Sequence, residues 1–332
     1  MEGKKINFSE KIFIAGATGM VGNSIKKKLI DYGYGSIENN GIIFTPSRAE
    51  LNLLNFQDVH NWMIKNKPTI VILAAAKVGG IYANSSYPAD FILENLKIQT
   101  NVIEASFLTG IKRFLFLGSS CIYPKYAKQP IEEEELLTKE LEPTNQWYAI
   151  AKIAGIKLCE SLRLQHQFDA ISLMPTNLYG PNDNYHPKNS HVMPALIKKF
   201  MDAKSNNISS VTCWGTGSAL REFLYVDDLA EAAIFCLERW DPSAKDAPLD
   251  KFGNLLNHLN IGSGEDISIK KLASKIASIT KYEGDIIWDK TKPDGTPRKL
   301  LNIEKISRLG WKAKTSLDDG IKQTINSLNI NN

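Results

Sequence analysis

The stretch KIFIAGATGMVG, residues 11–22, decides the fold. Lys11 to Ala15 reads as a short apolar strand. Gly16-Ala17-Thr18-Gly19-Met20-Val21-Gly22 follows at once, and an amphipathic run continues to Tyr32. A strand, a glycine turn and a helix in direct succession make the opening βα unit of a nucleotide-binding sheet. The spacing is G-x-x-G-x-x-G rather than G-x-G-x-x-G, but the physics is shared. Glycines let the backbone turn tightly and approach a pyrophosphate, while the helix start offers free N–H groups and a positive dipole end. A glycine-rich turn without a ligand is the other reading of the triplet taken alone.

Further along, strands are expected at 42–45, 70–75, 113–117 and 170–174, with helices at 22–32, 58–66, 90–109 and 146–167. This alternation calls for an α/β fold, a doubly wound parallel Rossmann sheet covered on both faces. From Pro175 to Pro194 the texture turns dense in Pro, Gly and Asn. Beyond it come an amphipathic segment at 194–203, a strand at 211–214, a strand running into a helix over 223–240, a helix at 269–280, a strand at 285–288 and a loop at 292–299. These predict a smaller α/β domain interleaved with the first. Residues 1–174 with roughly 220–262 are expected to bind a dinucleotide, and roughly 175–219 with 263–332 a second ligand.

Composition narrows the function. In 332 residues, 43% are hydrophobic and 23% charged, the balance of a globular chain. Forty Lys and Arg against 36 Asp and Glu leave a net charge of +4, too mild for a nucleic-acid footprint. The longest apolar run, 70–76, falls far short of the ~18 residues of a membrane span. The apolar stretch after Lys11 is too short for a signal peptide and overlaps the glycine motif, so a cytoplasmic location is expected. Cys121, Cys159, Cys213 and Cys236 show no C-x-x-C or zinc spacing, which predicts reduced thiols, small buried hydrophobes and no metal. Glu132–Glu135 reads as a solvated loop.

The end of the second strand addresses the cofactor. An NAD enzyme places Asp or Glu there for the ribose 2′-hydroxyl. This chain reads Thr45-Pro46-Ser47-Arg48, and a guanidinium fork suits a 2′-phosphate. Arg48 also reads as an ordinary surface arginine, and Glu50 stands close by; the balance favours NADP(H). Tyr148-Ala-Ile-Ala-Lys152 sits at the start of a helix, where residues four apart share a face. A cation beside a phenol lowers its pKa from ~10, which makes Tyr148 a candidate proton donor. Gly118-Ser119-Ser120-Cys121 follows the strand ending at Leu117, at the carboxyl edge where such sheets bind ligands.

Gly16-x-x-Gly19-x-x-Gly22, Ser119 and Tyr148-x-x-x-Lys152 together resemble the extended short-chain dehydrogenase/reductases, which act largely on nucleotide sugars. Within them the chain is similar to the epimerase/reductases of GDP-4-keto-6-deoxy-mannose. The similarity is carried by residues 73–80, 117–124, 142–160, 174–196, 221–228 and 292–301, and runs nearly end to end.

The resemblance implies an NADP(H) enzyme that inverts C3 and C5 of a GDP-linked 4-keto-deoxysugar and then reduces C4. A C4 ketone acidifies its neighbours, and inversion needs a base on one face and an acid on the other. A thiol and an imidazole exchange protons near neutrality; the family's pair falls on Cys121 and His191. Tyr148 would protonate the C4 oxygen, Ser119 would orient the carbonyl, and Lys152 would tune Tyr148 and hold the nicotinamide ribose. Leu117, Gly118, Pro175, Thr176, Asn177, Leu178 and His191 would line the cofactor. Asn177, Lys199, Trp214, Arg221, Asp294 and Lys299 match nucleotide-sugar contacts. A homodimer through helices 90–109 and 146–167 is the family habit. Ala17-Thr18 replaces a bulkier, basic pair of some members, so NADP selectivity leans on Arg48. Residues 241–259 match poorly. Two rivals remain: a C4-reductase of a GDP-4-keto-6-deoxy-heptose, with or without epimerisation, and a redox-silent NADP-binding regulator. If Arg48 reads the 2′-phosphate, steady-state assays should give a lower KM for NADPH than for NADH; the reverse order would remove the argument.

Overall fold

Runs such as Ile-Val-Ile-Leu at 70–73 lack polar alternation and must be buried on both faces. The computed structural model, which describes residues 4–186, 190–292 and 294–330, buries them that way. Its strands are β1 (Lys11–Ala15), β2 (Ile42–Phe44), β3 (Ile70–Leu73), β4 (Arg113–Leu117), β5 (Ala170–Pro175), β6 (Asn177–Tyr179), β7 (Ser210–Trp214), β8 (Leu220–Tyr225), β9 (His258–Ile261), β10 (Asp266–Ser268), β11 (Asp285–Asp289) and β12 (Arg298–Lys299). The helices are α1 (Met20–Asp31), α2 (Phe56–Asn66), α3 (Ile81–Ser86), α4 (Pro88–Leu108), α5 (Gln146–His166), α6 (Val192–Ser205), α7 (Val226–Arg239), α8 (Ile269–Thr280), α9 (Glu304–Arg308) and α10 (Leu317–Ile330).

Six strands form a parallel sheet in the order β2-β1-β3-β4-β5-β9. The chain leaves β1 toward β2, then crosses back to place β3 on the other side of β1. The order therefore reverses between β1 and β3, and a crevice opens there beyond the carboxyl ends. The glycine turn that follows β1 lies at that crevice. Alternate residues of each strand feed opposite cores. Ile12, Ile14, Ile72, Leu115 and Leu173 pack with residues of α1 and α7, while Phe13, Val71, Phe114 and Phe116 pack with α2, α4 and α5. A third core gathers Tyr179, Ile197, Phe200, Leu272, Ile276 and Ile321 from β6, α6, α8 and α10. Beside it lie a small sheet, β10-β8-β12 with β6 on β8, and the parallel pair β7–β11.

The structure departs from the sequence reading in several places. Helix α1 starts at Met20, so Val21 and Gly22 belong to its first turn. Helix α2 starts at Phe56 because the Asn55 side chain accepts from the N–H groups of Gln57 and Asp58. Leu220–Tyr225 pairs in the small sheet, while its Leu224 packs in the first core with residues of α7. Near the end, Ile306 and Trp311 pack in the first core, not the third. Strand β12 occupies part of the expected loop at 292–299; two residues are too few to show a period. The Glu132–Glu135 run is not fully solvated. Glu133 is 1% exposed and is held by the Asn260 N–H at 3.0 Å and Lys305 Nζ at 3.0 Å. Among the described residues no helix is long and apolar enough to cross a membrane.

Candidate active site

The glycine turn has room for backbone only. Gly16 has φ +91°, and a Cβ there would lie 2.7 Å from the Ala75 Cα. A Cβ on Gly22 would lie 2.2 Å from the Gly16 carbonyl oxygen. Gly19 meets nothing closer than 3.6 Å, so its side stays open. Helix α1 has no acidic residue in its first turn and no side-chain cap on Gly19. Its leading N–H groups, around Met20 and Val21, therefore remain available to an anion. Arg48 is exposed after β2 and has no ion-pair partner among the described residues. Glu50 is occupied locally, its Oε2 accepting the Ser47 N–H at 2.7 Å, so it does not compete for Arg48. Ala17 and Thr18 occupy the turn without a positive charge.

At the far side of the crevice, Gly118 packs so tightly on Met174 that a Cβ would lie 2.4 Å from its Sδ. The Thr176 N–H donates to the Ile261 carbonyl at 2.9 Å, and Asn177 Nδ2 to the Glu222 carbonyl at 2.8 Å. These bonds fix the step from Pro175 to Leu178 between β5 and β6. Bare glycines, an uncapped acid-free helix start and an unpaired guanidinium fit a phosphorylated dinucleotide.

Lys152 Nζ donates to the Leu117 carbonyl at 2.7 Å and lies 5.7 Å from the Tyr148 ring centroid. The lysine is 4% exposed, and burial pushes its amine down to about 7. Burial also pushes the Tyr148 phenol well above its ordinary value; the Cys121 charge adds to this, and a hydrogen bond with Ser119 opposes it. This corrects the expectation that Lys152 depresses the Tyr148 pKa. Lys152 is buried and protein crowds the Tyr148 ring, and this desolvation drives both toward their neutral forms before either can favour the other's charge. Ser119 caps the short turn Ser120–Ile122, its Oγ accepting the Cys121 N–H at 3.2 Å.

Cys121 is half-buried. Its Sγ lies 3.3 Å from Asn145 Nδ2 and 3.6 Å from Lys299 Nζ. His191 stands at the head of α6 and is exposed. Protein crowding its ring, and next the Lys299 charge, hold its pKa below the ordinary value. Lys299 thus sits beside the thiol, and its charge also acts on the imidazole. The remaining expected contacts lie along the small sheets. Lys199 Nζ donates to the Thr212 carbonyl at 3.0 Å and sits 6.0 Å from the centroid of Trp214, a residue 61% exposed. Arg221 Nη1 donates to the Leu220 carbonyl at 2.8 Å. Asp294 is engaged within the protein. It takes the Thr216 N–H and Oγ1, each at 2.7 Å, and so closes a turn. Among the described residues no cluster of three or more His, Cys, Asp or Glu side chains could hold a metal ion.

Sequence reasoning missed residues around Cys121. A cavity there is lined by Lys125, Glu142, Asn145, Thr296 and Lys299. Glu142 Oε2 meets Lys125 Nζ at 3.0 Å and Thr296 Oγ1 at 3.2 Å. Asn145 precedes α5 and reads as a cap, yet it makes no cap and reaches the thiol instead. Only its spacing of three from Tyr148 hinted at this.

Fold and site define a dinucleotide-dependent α/β enzyme with a phenol, an amine and a thiol around the carboxyl edge of β4. The chain belongs to the NAD dependent epimerase/dehydratase family, whose model matches residues 12–262. It is 55% identical over 316 residues to GDP-L-fucose synthase 1 of Arabidopsis thaliana, covering 95% of this chain and 92% of that one. It is 49% identical over 315 residues to the GDP-L-fucose synthase of Escherichia coli, covering 95% of each. Among solved structures it is similar to a GDP-6-OMe-4-keto-L-xylo-heptose reductase from C. jejuni. There the identity is 35%, the TM-score 0.88, and the coverage 98% of this chain and 99% of that one.

The Lys152 amine gives the fold a pH dependence with a definite sign. An ordinary lysine titrates at 10.5, and the buried one at about 7. Between these values the unfolded chain binds the extra proton, so this group makes stability rise with pH over that window and leaves it flat below. Denaturant unfolding at pH 7 and pH 9 should show this rise in the wild type and a smaller one in Lys152→Met. An equal rise in both would place the lysine elsewhere.

Proposed function

We propose that this chain reduces the C4 ketone of a GDP-4-keto-6-deoxy-hexose with NADPH, after inverting C3 and C5, to give GDP-L-fucose or a close relative. The observation that carries this is the convergence of Tyr148, Lys152, Ser119 and Cys121 at the carboxyl edge of β4. It is supported by the identity to GDP-L-fucose synthases over 95% of the chain. When bound, the dinucleotide supplies the hydride. Gly16, Gly19, Gly22 and the first N–H groups of α1 would hold its pyrophosphate, and Arg48 its 2′-phosphate. Leu117, Gly118 and Pro175–Leu178 would line the rest.

Cys121 and His191 are the groups suited to move protons at C3 and C5, and Lys299 beside the thiol offers a cation to the oxyanion of an enolate. Ser119 orients the C4 carbonyl. Tyr148 is held protonated by the protein packed around its hydroxyl and so has a proton to give as the C4 oxygen gains charge. Lys152 titrates near neutrality, so it can gain a proton as the phenolate forms beside it. Lys199, Trp214, Arg221 and Asn177 are assigned to the nucleotide-sugar. Asp294 serves that site by shaping the turn at Thr216.

We also assign the residues packed in the first two cores to cofactor binding, and those of the third core and small sheets to the sugar nucleotide. A homodimer is proposed through α4 and α5, whose Leu93, Leu108 and Leu164 are 53%, 57% and 74% exposed. Four free thiols accord with the cytoplasm. The likeness to a heptose reductase favours one second reading, reduction at C4 of a GDP-4-keto-heptose.

Turnover of GDP-4-keto-6-deoxy-mannose in D₂O, read by NMR, should place deuterium at C3 and C5. Unlabelled product would remove the epimerase half and favour the second reading. Tyr148→Phe should lower kcat for reduction about 100-fold or more with NADPH affinity unchanged, and Cys121→Ser should slow label uptake. Undiminished turnover by Tyr148→Phe would contradict the assignment.

A further inference from the structure

Glu222 is the second residue of the Arg221-Glu-Phe-Leu-Tyr-Val-Asp-Asp228 stretch, and it is fully buried at 0% exposure. Its Oε1 accepts the Gly264 N–H at 2.8 Å and its Oε2 the Leu301 N–H at 3.0 Å. Its carbonyl accepts from Asn177 Nδ2 at 2.8 Å and Thr176 Oγ1 at 3.3 Å. Through its side chain and backbone, one residue therefore ties together four segments: the β5–β6 step, β8, the turn after β9 and the chain just beyond β12. Two of these carry groups assigned above. Asn177 flanks the cofactor crevice. Leu301 lies two residues after Lys299, whose Nζ is 3.6 Å from Cys121 Sγ.

A buried carboxylate is a costly way to stabilise a fold, and an apolar side chain of similar volume often does as well. Burial pushes this carboxyl up, and the backbone N–H groups of Leu301 and Gly264 bring it partly back. What an apolar replacement cannot do is accept hydrogen bonds from two turns at a fixed separation. The neighbouring backbone is shaped around it: a Cβ on Gly262 would lie 2.2 Å from Glu222 Oε1.

We propose that Glu222 is a positioning residue that sets the distance between the cofactor side of the crevice, at Thr176 and Asn177, and the sugar side, at Lys299 and Cys121. This inference rests on the function proposed above, and its test is chosen to separate the two. Glu222→Gln keeps the size and one acceptor but turns a donor toward one of the two N–H groups. It should leave melting temperature within a few degrees and the Kd for NADPH within threefold. It should lower kcat with GDP-4-keto-6-deoxy-mannose tenfold or more. Iodoacetamide modification of Cys121, followed by peptide mass spectrometry, should slow at least threefold as Lys299 moves from the sulfur, because an adjacent cation makes a thiol more reactive. The other three thiols are buried.

Gly262→Ala displaces the carboxylate without changing its chemistry and should give the same signature. It carries the test if Glu222→Gln does not fold. Folded variants with wild-type kcat and wild-type Cys121 alkylation would overturn the proposal. So would variants in which stability and NADPH binding fall in step with kcat, the mark of a merely structural residue. A wild type inert toward every GDP-4-keto-sugar would reject the proposed function, and the alkylation rates would still decide the role of Glu222.

Discussion

A buried amine joined to a strand end fixes the chemistry of this protein. Lys152 reaches from the first turn and a half of α5 to the carbonyl of Leu117, the last residue of β4. The bond ties the lysine to the last carbonyl of β4 at the crevice. It also holds the ammonium-bearing side chain beneath the Tyr148 ring, one helical turn from its own backbone position. Everything else in the site is arranged around that point. Ser119 follows Leu117 by two residues, Cys121 by four, and the β1–β3 switch opens the crevice beside them.

Burial is what gives these groups their character. In water, a lysine beside a tyrosine would favour phenolate. Here Lys152 is buried and Tyr148 half-buried, and each is displaced toward its uncharged form. The consequence is a phenol that keeps its proton until negative charge develops on a neighbouring oxygen, and an amine that can take up a proton near neutrality. The thiol and imidazole lie under a different influence, a single ammonium on Lys299 that stands near both. The phenol and amine on one side, and the thiol near Lys299 on the other, thus lie in two different electrostatic environments.

Much of this was legible in the sequence, because strong local signals encode it. The glycine turn requires particular backbone, and the long apolar runs require burial on both faces; both appear where periodicity put them. Tyr148 and Lys152 meet because four residues make one helical turn. Other parts were illegible for physical reasons. The contacts of Cys121 with Asn145 and Lys299 join residues 24 and 178 positions apart, and no local pattern records such a pairing. The acidic run at 132–135 resembles solvated surface, yet Glu133 is buried because Lys305, far along the chain, arrives to neutralise it. Strand Leu220–Tyr225 belongs to the small sheet, where the sequence shows only a continuous strand-to-helix run. Its pairing with β6, β10 and β12 is set by topology rather than composition.

A ketone held beside Ser119 and Tyr148 should be reduced at the carbon next to the two inverted centres. GDP-4-keto-6-deoxy-mannose and NADPH carrying deuterium at nicotinamide C4 on the transferred face should then give product with one deuterium at sugar C4 and none from the cofactor at C3 or C5. Cofactor deuterium absent from sugar C4, in an enzyme that turns over, would overturn this assignment.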